Sequence, residues 1–321
     1  MALSEFDLID RFFRRCGAAR EDVRLGVGDD AALLECPPGE ALVAAVDTLV
    51  EGVHFPPGSP AESIGHRALA VNLSDLAAMG ARPAWALLAL TLPSAEADWL
   101  SAFTAGFAAL AEAHAVTLVG GDTTHGPLTV TVTLLGHVVA ASALRRSTAA
   151  PGDALFVSGT VGDAAAGLAL EQGRLGDVAG AESLRKRFLF PTPRVALGER
   201  LRGHASGCID VSDGLVADAL KLARASGCGV DISAAALPLS AALRALGLPR
   251  ARDFALAGGD DYELCFTVPL ERLARLHAEL PPEQWGYTRI GTVCAEPGAR
   301  VRDEQGELAV SPVGYDHFVS G

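Results

Sequence analysis

"LGVGDDAALLE", residues 25–35, resembles a dinucleotide-binding loop, and whether it is one decides the fold. Gly26, Gly28 and Ala31 nearly fit G-x-G-x-x-G/A, the dinucleotide-binding fingerprint, whose backbone N–H groups hold a pyrophosphate. That fingerprint must open a crossover helix, whereas the "ALLECPPGE" that follows is too short and too proline-rich to form one. Asp29 and Asp30 would also repel a pyrophosphate. The stretch therefore predicts another α/β fold, in which cations offset these two carboxylates.

The composition argues against nucleic-acid binding, membrane insertion and a cysteine- or histidine-built metal site. The 321 residues carry 26 Lys and Arg against 39 Asp and Glu, so a basic face is not expected. The apolar stretches are too short to span a bilayer, and the six cysteines and eight histidines are scattered. The two lysines lie outside any G-x-x-x-x-G-K-[ST] pattern, which excludes a P-loop. We expect a cytoplasmic protein without a secretory leader.

Hydrophobic periodicity predicts two α/β domains. In the first, residues 61–80 and 94–115 predict helices, residues 84–93, 116–124 and 127–140 predict strands, and a further strand ends near Asp47. Residues 141–153, "ASALRRSTAAPGD", are small and polar with a Pro-Gly pair, which is typical of a junction. We therefore place the domains at residues 1–140 and 141–321. The second contains the strands "ALFVSG" and "DYELCFTV" and the helix "GLVADALKLA".

Six short stretches combine aspartate with Gly, Asn or Ser at the ends of predicted elements. Each has an ordinary explanation alone, because Asp-Gly pairs mark turns and Ser212 or Asp213 could cap a helix. Asp75 differs, since it interrupts an apolar helix one turn after Asn72, where a carboxylate needs a partner. The stretches are GVGDD (26–30), VDTLVEGVHF (46–55), VNLSDLAAMG (71–80), GGDTTHG (120–126), DVSDGL (210–215) and GGDDYEL (258–264).

Taken together, these acids predict a cation site. Charged residues make up only 20% of the chain, yet the acids recur without Lys or Arg nearby in the sequence to pair them. Oxygen ligands without Cys or His select a hard cation, Mg²⁺ before Ca²⁺ or Mn²⁺. Proteins usually share Mg²⁺ between one or two carboxylates and substrate phosphates. We therefore expect the aspartates to bind phosphate groups through Mg²⁺, while the glycines let the backbone come close.

The order and spacing of these motifs closely resemble the bacterial thiamine-monophosphate kinase family. The resemblance runs from "SEFDLI" (4–9) to "GYDHF" (314–318) and so covers nearly the whole chain. It implies a two-domain fold shared with aminoimidazole ribonucleotide synthetase. In that fold the N-terminal α/β domain, here 1–140, binds ATP and Mg²⁺ and pairs its sheet into a barrel in a homodimer. The C-terminal α/β domain, here 141–321, completes the nucleotide and substrate site.

The resemblance also implies an activity and the residues that serve it. The activity is ATP-dependent phosphorylation of thiamine monophosphate to thiamine diphosphate. The implied Mg²⁺ ligands are Asp30, Asp47, Asp75, Asp122, Asp210 and Asp213. The implied contacts to the ATP phosphates are Gly121, Asp122, Arg146 and Ser212. The implied residues on the thiamine monophosphate side are His54, Glu263 and Tyr315.

The sequence departs from the family pattern at two places. Ala45 and Val46 precede Asp47 where relatives often have Ser or Thr, so only backbone carbonyls could help to hold a metal ion there. Asp260 replaces a glutamate in "GGDDYEL", which keeps the charge on a shorter side chain.

The chemistry implied by the resemblance needs no general base. A phosphate monoester has a second pKa of about 6, so the acceptor is largely deprotonated at neutral pH. Several Mg²⁺ ions would offset the repulsion between the two anions and align a direct in-line transfer, without a phospho-enzyme. Two alternatives stay open: a non-catalytic protein that binds a nucleotide or thiamine phosphate, and another ATP-using enzyme of the same fold.

Overall fold

The chain forms two compact units, each of which combines helices with sheets. The computed structural model describes residues 5–176, 178–310 and 314. Unit 1 comprises Met1–Leu76 with Ala81–Ala141, and unit 2 comprises Ala77–Gly80 with Ser142–Gly321. Within the described ranges no helix is both long enough and apolar enough to cross a membrane. The mixture of elements in both units confirms the predicted α/β class.

Unit 1 is built on a four-stranded sheet with the order β3-β6-β4-β5, in which only the β4–β5 pair is parallel. A separate two-stranded sheet pairs β1 with β2. The strands are β1 (Val23–Leu25), β2 (Leu33–Leu34), β3 (Ala41–Val50), β4 (Arg82–Leu92), β5 (Thr117–His125) and β6 (Thr129–Val138). The helices are α1 (Glu5–Leu8), a π-helical turn (Ile9–Phe13), α2 (Ala61–Ala78), α3 (Ala97–Ala113) and a 3₁₀ turn (Ala140–Ser142).

Most predicted elements of unit 1 are confirmed, with shifted boundaries. Strand β3 continues three residues beyond Asp47, because its ladder with β6 runs on to the pair of Val50 with Thr129. Helix α3 begins at Ala97 and not at Ser94, whose hydroxyl donates to the Glu96 carboxylate at 2.9 Å. After the glycines of residues 26–28 the chain forms the short strand β2 in place of a crossover helix, as predicted.

Unit 2 is built on a seven-stranded sheet with the order β13-β12-β9-β11-β7-β10-β8, antiparallel except for the β12–β9 pair. The strands are β7 (Ala154–Ser158), β8 (Gly207–Val211), β9 (Gly229–Ser233), β10 (Glu263–Val268), β11 (Tyr287–Cys294), β12 (Gly298–Asp303) and β13 (Gly306–Leu308). The α-helices are α4 (Asp163–Glu171), α5 (Ala181–Leu189), α6 (Val195–Leu201), α7 (Leu215–Ala225), α8 (Ala241–Arg244), α9 (Leu248–Ala257), α10 (Leu273–Glu279) and α11 (Pro282–Trp285). Two 3₁₀ turns lie at Ala234–Ala236 and Leu270–Arg272.

Helices α2 and α3 approach each other through two glycines. A Cβ added at Gly106 would overlap the backbone carbonyl of Glu62, and one added at Gly65 would overlap the carbonyl of Phe103. The backbones therefore touch directly, and larger residues at either position would force the helices apart. This contact fixes the helix that carries Asp75.

We expect Gly106→Ala to destabilise the chain by about 1–3 kcal/mol, because the added methyl group overlaps the backbone of α2. Helix propensity alone predicts the opposite sign, since alanine is favoured over glycine by about 1 kcal/mol inside a helix. Urea unfolding would measure the change. Gly176→Ala is the control, since a Cβ there meets open space. A stabilised Gly106→Ala variant would contradict the close crossing.

Candidate active site

The two sheet aspartates of unit 1 lie at opposite edges of its sheet. Asp47 on β3 pairs with Val132, which pairs with Leu88, which in turn pairs with Gly121 on β5, next to Asp122. Three strand spacings of about 4.8 Å separate the two edges, so the backbones of the two residues lie about 14 Å apart across the sheet. The sheet by itself therefore does not bring Asp47 and Asp122 together.

Gly121 lies where the β5 backbone comes closest to β4. A Cβ at this position would overlap the Leu88 carbonyl, so any side chain is excluded. Asp122, the next residue, is exposed. The sequence predicts that this glycine permits a close approach of the backbone. In the structure the backbone that comes close is that of Leu88, within the sheet.

The loop between β1 and β2 carries Asp29 and Asp30, both exposed. The backbone N–H of Asp30 donates to the Asp29 carboxylate at 2.8 Å, so Asp29 shapes the turn. Gly28 has φ +121, and the Arg14 guanidinium lies 3.2 Å from the position of a Cβ there. A larger residue at position 28 would therefore both strain the backbone and meet Arg14.

Helix α2 places Asp75 one turn after a fully buried amide. Asp75 is half-buried, and Asn72 donates from Nδ2 to the Ala68 carbonyl at 3.1 Å. Across the described chain, the Asn72 Oδ1 is one of the few buried oxygens without a hydrogen-bond partner. A buried orphan oxygen costs roughly 1–3 kcal/mol, which usually indicates a missing partner. Asn72 therefore places a further oxygen that could coordinate a cation on the helix that carries Asp75.

His54 is tied to the end of β3. The His54 Nδ1 accepts the backbone N–H of Val50 at 2.9 Å, and the backbone N–H of His54 donates to the Val50 carbonyl at 2.9 Å. The neutral imidazole therefore carries its proton on Nε2, which makes that atom a hydrogen-bond donor.

In unit 2, the loop between β8 and α7 is organised by one buried carboxylate, that of Asp218. Its Oδ2 accepts the backbone N–H groups of Ser212, Asp213 and Gly214 at 2.9, 2.9 and 3.2 Å. Lys221 donates to Oδ1 at 2.7 Å and also to the Asp213 carboxylate. Because the three N–H groups are engaged, Ser212 can offer a phosphate its hydroxyl but not its backbone amide.

The pairing of Lys221 with Asp213 corrects one argument from the sequence. The predicted acids lack bases nearby in the sequence, but α7 folds Lys221 back onto Asp213, and Glu263 pairs with two arginines. Helix geometry and sheet pairing bring these partners together across separations that inspection of neighbouring residues does not detect.

The loop "GGDDYE" lies directly against the β8–α7 loop. The Asp260 N–H donates to the Ser212 carbonyl and the Tyr262 N–H donates to the Val211 carbonyl, both at 2.8 Å. A Cβ at Gly259 would overlap the same Ser212 carbonyl. Asp260 and Tyr262 have φ values of +68° and +51°, a strained conformation that surrounding contacts must hold. The motifs around residues 210–215 and 258–264 therefore form one structural element.

Asp261 and Glu263 point into the protein. The Asp261 carboxylate accepts the Gly162 N–H at 2.7 Å, and burial raises its pKa well above its usual range. Glu263 is completely buried, with its Oε2 2.5 Å from the Ser158 hydroxyl. The Arg194 Nε and Nη2 donate to both Glu263 oxygens at 2.6 Å, and the Arg187 Nη2 donates at 2.8 Å.

The other predicted residues occupy varied positions. Asp210, at the end of β8, is 7% exposed. The Arg146 side chain is exposed, while its backbone carbonyl accepts the Ser226 hydroxyl at 2.9 Å. Val46 is 63% exposed on β3. Tyr315 lies outside the described residues.

The carboxylates described above suit a metal ion that binds together with substrate phosphates. They are less suited to a preformed site in which the protein supplies most of the metal ligands. In residues 5–176, 178–310 and 314, no three His, Cys, Asp or Glu side chains form a group that could hold a metal ion. Mg²⁺ is commonly bound by one or two carboxylates, waters and phosphate oxygens. The exposed carboxylates of Asp30 and Asp122 suit that mode.

Known proteins match the chain along its whole length. The family "AIR synthase related protein, N-terminal domain" matches residues 28–138, and "AIR synthase related protein, C-terminal domain" matches residues 150–304. The thiamine-monophosphate kinase of Salmonella typhimurium is 45% identical over 324 residues, covering 100% of each chain. The chain belongs to the thiamine-monophosphate kinase family.

Two solved structures agree with this family membership. The thiamine-monophosphate kinase from Stenotrophomonas maltophilia K279a has a TM-score of 0.85 and 50% identity, covering 96% of this chain and 99% of that one. AaThiL complexed with AMPPCP and TMP has a TM-score of 0.79 and 34% identity, covering 98% and 97%. The resemblance and the two-domain fold expected from the motifs are confirmed.

Several residues that hold predicted site residues or their loops in place were not identified from the sequence. They are Ser158, Arg187, Arg194, Asp218 and Lys221. One usable signal was present: Asp218 and Lys221 are three residues apart in a helix that directly follows "DVSDG", so they share one face. The two arginines carry no such local signal.

We expect Asp218→Ala to destabilise the chain by about 2 kcal/mol or more, because it leaves buried backbone N–H groups without acceptors. Urea unfolding would measure this loss. Asp253→Ala removes an exposed carboxylate from α9 and should stay close to wild type. Equal stability of the two variants would show that Asp218 does not hold the loop.

We expect the buried Asp261 to make the chain less stable as the pH rises. Its pKa is raised by burial, so the folded chain keeps a proton that the unfolded chain, with its usual pKa of 3.8, has released. Stability therefore falls from about pH 4 upwards through the raised pKa. Asp261→Asn imitates the protonated carboxyl and should flatten this slope in urea unfolding between about pH 4 and pH 7. Asp253→Asn is the control, and a slope unchanged by Asp261→Asn would contradict the assignment.

Proposed function

We propose that this chain transfers the γ-phosphoryl group of ATP to thiamine monophosphate, which yields thiamine diphosphate and ADP. The observation that carries the proposal is the similarity to AaThiL, 34% identical over 98% of this chain, which was solved as a complex with AMPPCP and TMP. AMPPCP is an ATP analogue and TMP is read as thiamine monophosphate, so the two ligands correspond to the two substrates. The chain is accordingly a phosphotransferase with a phosphate group as acceptor.

The acceptor requires no proton removal by the protein. Its phosphate monoester has a second pKa of about 6, so the attacking oxygen is already largely deprotonated at neutral pH. We assign no general base and no covalent phospho-enzyme, and we propose a direct in-line transfer. The protein has to orient two anions and lower their mutual repulsion.

Mg²⁺ would be held by carboxylates from the predicted set. These are Asp30, Asp47, Asp75, Asp122, Asp210 and Asp213. When bound, Mg²⁺ supplies positive charge that offsets the repulsion between ATP and the acceptor phosphate. The exposed positions of Asp30 and Asp122 support this role, because Mg²⁺ keeps part of its water shell.

The proposed ATP contacts use different parts of each residue. Ser212 would offer its hydroxyl, since its N–H is donated to Asp218. Arg146 would offer its exposed guanidinium, which suits phosphate oxygens. Gly121 and Asp122 would contact ATP from the edge strand β5.

On the acceptor side we propose His54, Glu263 and Tyr315. The His54 Nδ1 accepts the Val50 N–H, so the ring proton that His54 would donate to the acceptor is on Nε2. Glu263 is buried, and Ser158 and two arginines contact its carboxylate, so it would act on the acceptor through these groups.

We further propose that residues 1–140 bind ATP and Mg²⁺ and form a homodimer, and that residues 141–321 carry the remaining nucleotide and substrate contacts. Leu42 and Val46, four residues apart on one face of the edge strand β3, are 55% and 63% exposed. Exposed apolar side chains in a row on one sheet face support a surface that a second copy covers.

The first experiment measures ADP and thiamine diphosphate formation from ATP, Mg²⁺ and thiamine monophosphate, with unphosphorylated thiamine as the control substrate. We expect turnover with the monophosphate only. Asp75→Asn should lower kcat by about 100-fold or more, because it removes charge that offsets the developing repulsion. Asp98→Asn, an exposed aspartate on α3, should leave kcat unchanged.

Other outcomes separate the two alternatives. Binding of both ligands without turnover would favour a non-catalytic binding protein, with Ala45 and Val46 as the first positions to restore to Thr. ATP hydrolysis that thiamine monophosphate does not stimulate would favour another ATP-using enzyme of the same fold.

A further inference from the structure

Two arginines converge on a single buried carboxylate in unit 2. Arg187 from α5 and Arg194 at the start of α6 both donate to Glu263, which also accepts the Ser158 hydroxyl. One guanidinium would balance the charge of Glu263, so the group retains about one positive charge. Asp261 interacts electrostatically with Glu263, and burial raises the pKa of its carboxyl well above its usual range, which shifts it towards the neutral form. In a chain with a formal charge of −13, this is an unusual local surplus of positive charge.

The surrounding structure holds Arg194 in a fixed orientation. Its Nε and Nη2 engage the two Glu263 oxygens at once, which fixes the plane of the guanidinium. Pro191 and Pro193 stiffen the segment that leads to it. A Cβ at Gly159 would overlap Glu263 and Arg194, so only glycine leaves room for the pair.

Solvent reaches the arginines but not the carboxylate. The side chains of Arg194 and Arg187 are 29% and 18% exposed, whereas that of Glu263 is 0% exposed. The Arg187 Nε is also buried and, within the described part of the chain, lacks a hydrogen-bond partner. A ligand that approaches this group would therefore meet guanidinium N–H groups first, and guanidinium groups bind phosphate oxygens well.

Stability alone is a poor explanation for this arrangement. A buried ion pair often contributes no more than apolar side chains of similar volume would, and here a second arginine is added. Asp260 and Tyr262, in strained backbone conformations beside Glu263, add a further cost. Strain and surplus charge at one place are typical of a binding site.

We propose that Arg194, supported by Arg187, binds the phosphate group of the acceptor, and that Glu263 is a positioning residue that acts through these arginines. The inference rests on the proposed function, because that function supplies the phosphate-bearing acceptor and assigns Glu263 to its side of the site. It revises the role of Glu263 from direct contact to the orientation of two guanidinium groups.

The test compares Arg194→Gln, Arg194→Lys and Glu263→Gln with wild type in steady-state kinetics and in calorimetric binding. In Arg194→Gln, the KM and Kd for thiamine monophosphate should rise about 10- to 100-fold, the usual effect of losing a hydrogen bond to a charged group. The KM for ATP and the Kd for unphosphorylated thiamine should stay within about twofold. Arg194→Lys should recover part of the affinity, because it keeps the charge.

Glu263→Gln should raise the KM for thiamine monophosphate by a larger factor than it lowers kcat, since the arginines remain but lose their fixed orientation. Arg200→Gln, an exposed position on α6, the helix that Arg194 precedes, is the control. Thermal unfolding of every variant separates misfolding from lost binding.

The outcomes keep the inference and the proposed function apart. Wild-type turnover combined with an unchanged KM for thiamine monophosphate in a folded Arg194→Gln variant would overturn the inference alone. A rise in the KM for ATP only would overturn it as well, by placing Arg194 on the nucleotide. If wild type neither binds nor phosphorylates thiamine monophosphate, the proposed function itself fails.

Discussion

The cost of burying a carboxylate governs how unit 2 is built around the ends of β8 and β10. An ionised carboxylate loses its hydration on burial, so enough donors must replace the lost water. Asp218 obtains three backbone N–H groups and a lysine, and Glu263 obtains a hydroxyl and two guanidinium groups. Asp261 accepts a backbone N–H, and burial raises its pKa, which shifts it towards the neutral form. Each solution fixes the position of a piece of backbone or of a side chain near the predicted site residues.

These local solutions are coupled, because β8 and β10 are neighbours. The pairing of Val211 with Glu263 sets the "DVSDG" and "GGDDYE" segments side by side, and the Asp260 N–H joins them through the Ser212 carbonyl. The strained backbone at Asp260 and Tyr262 is held by these hydrogen bonds together with the anchored Asp261 and Glu263. Loss of one anchor would therefore disturb the neighbouring loop as well.

The sequence predicted well what depends on local pattern and poorly what depends on distant partners. Helix α2 and strands β5 and β6 follow from periodicity and stop signals, and the family follows from the order of the aspartate motifs. The sequence placed the end of β3 near Asp47, whereas the strand continues to Val50, because its end depends on the ladder with β6. The partners of Glu263 were missed too, because Arg194 is separated from it by 69 residues and no local pattern links them.

Burial divides the acids of this chain into two chemical groups. A carboxylate that binds hydrated Mg²⁺ must stay accessible to water and phosphate, and Asp30 and Asp122 are exposed. A carboxylate enclosed by protein donors, as in Asp218 and Glu263, has its lone pairs engaged and acts on a substrate only through the groups that it holds. Asp210, which is buried but close to the end of β8, is intermediate between these two groups of acids. Under the proposed role of Arg194, a strongly acidic chain presents positive charge to a phosphate because its buried acids fix the orientation of its few well-placed bases.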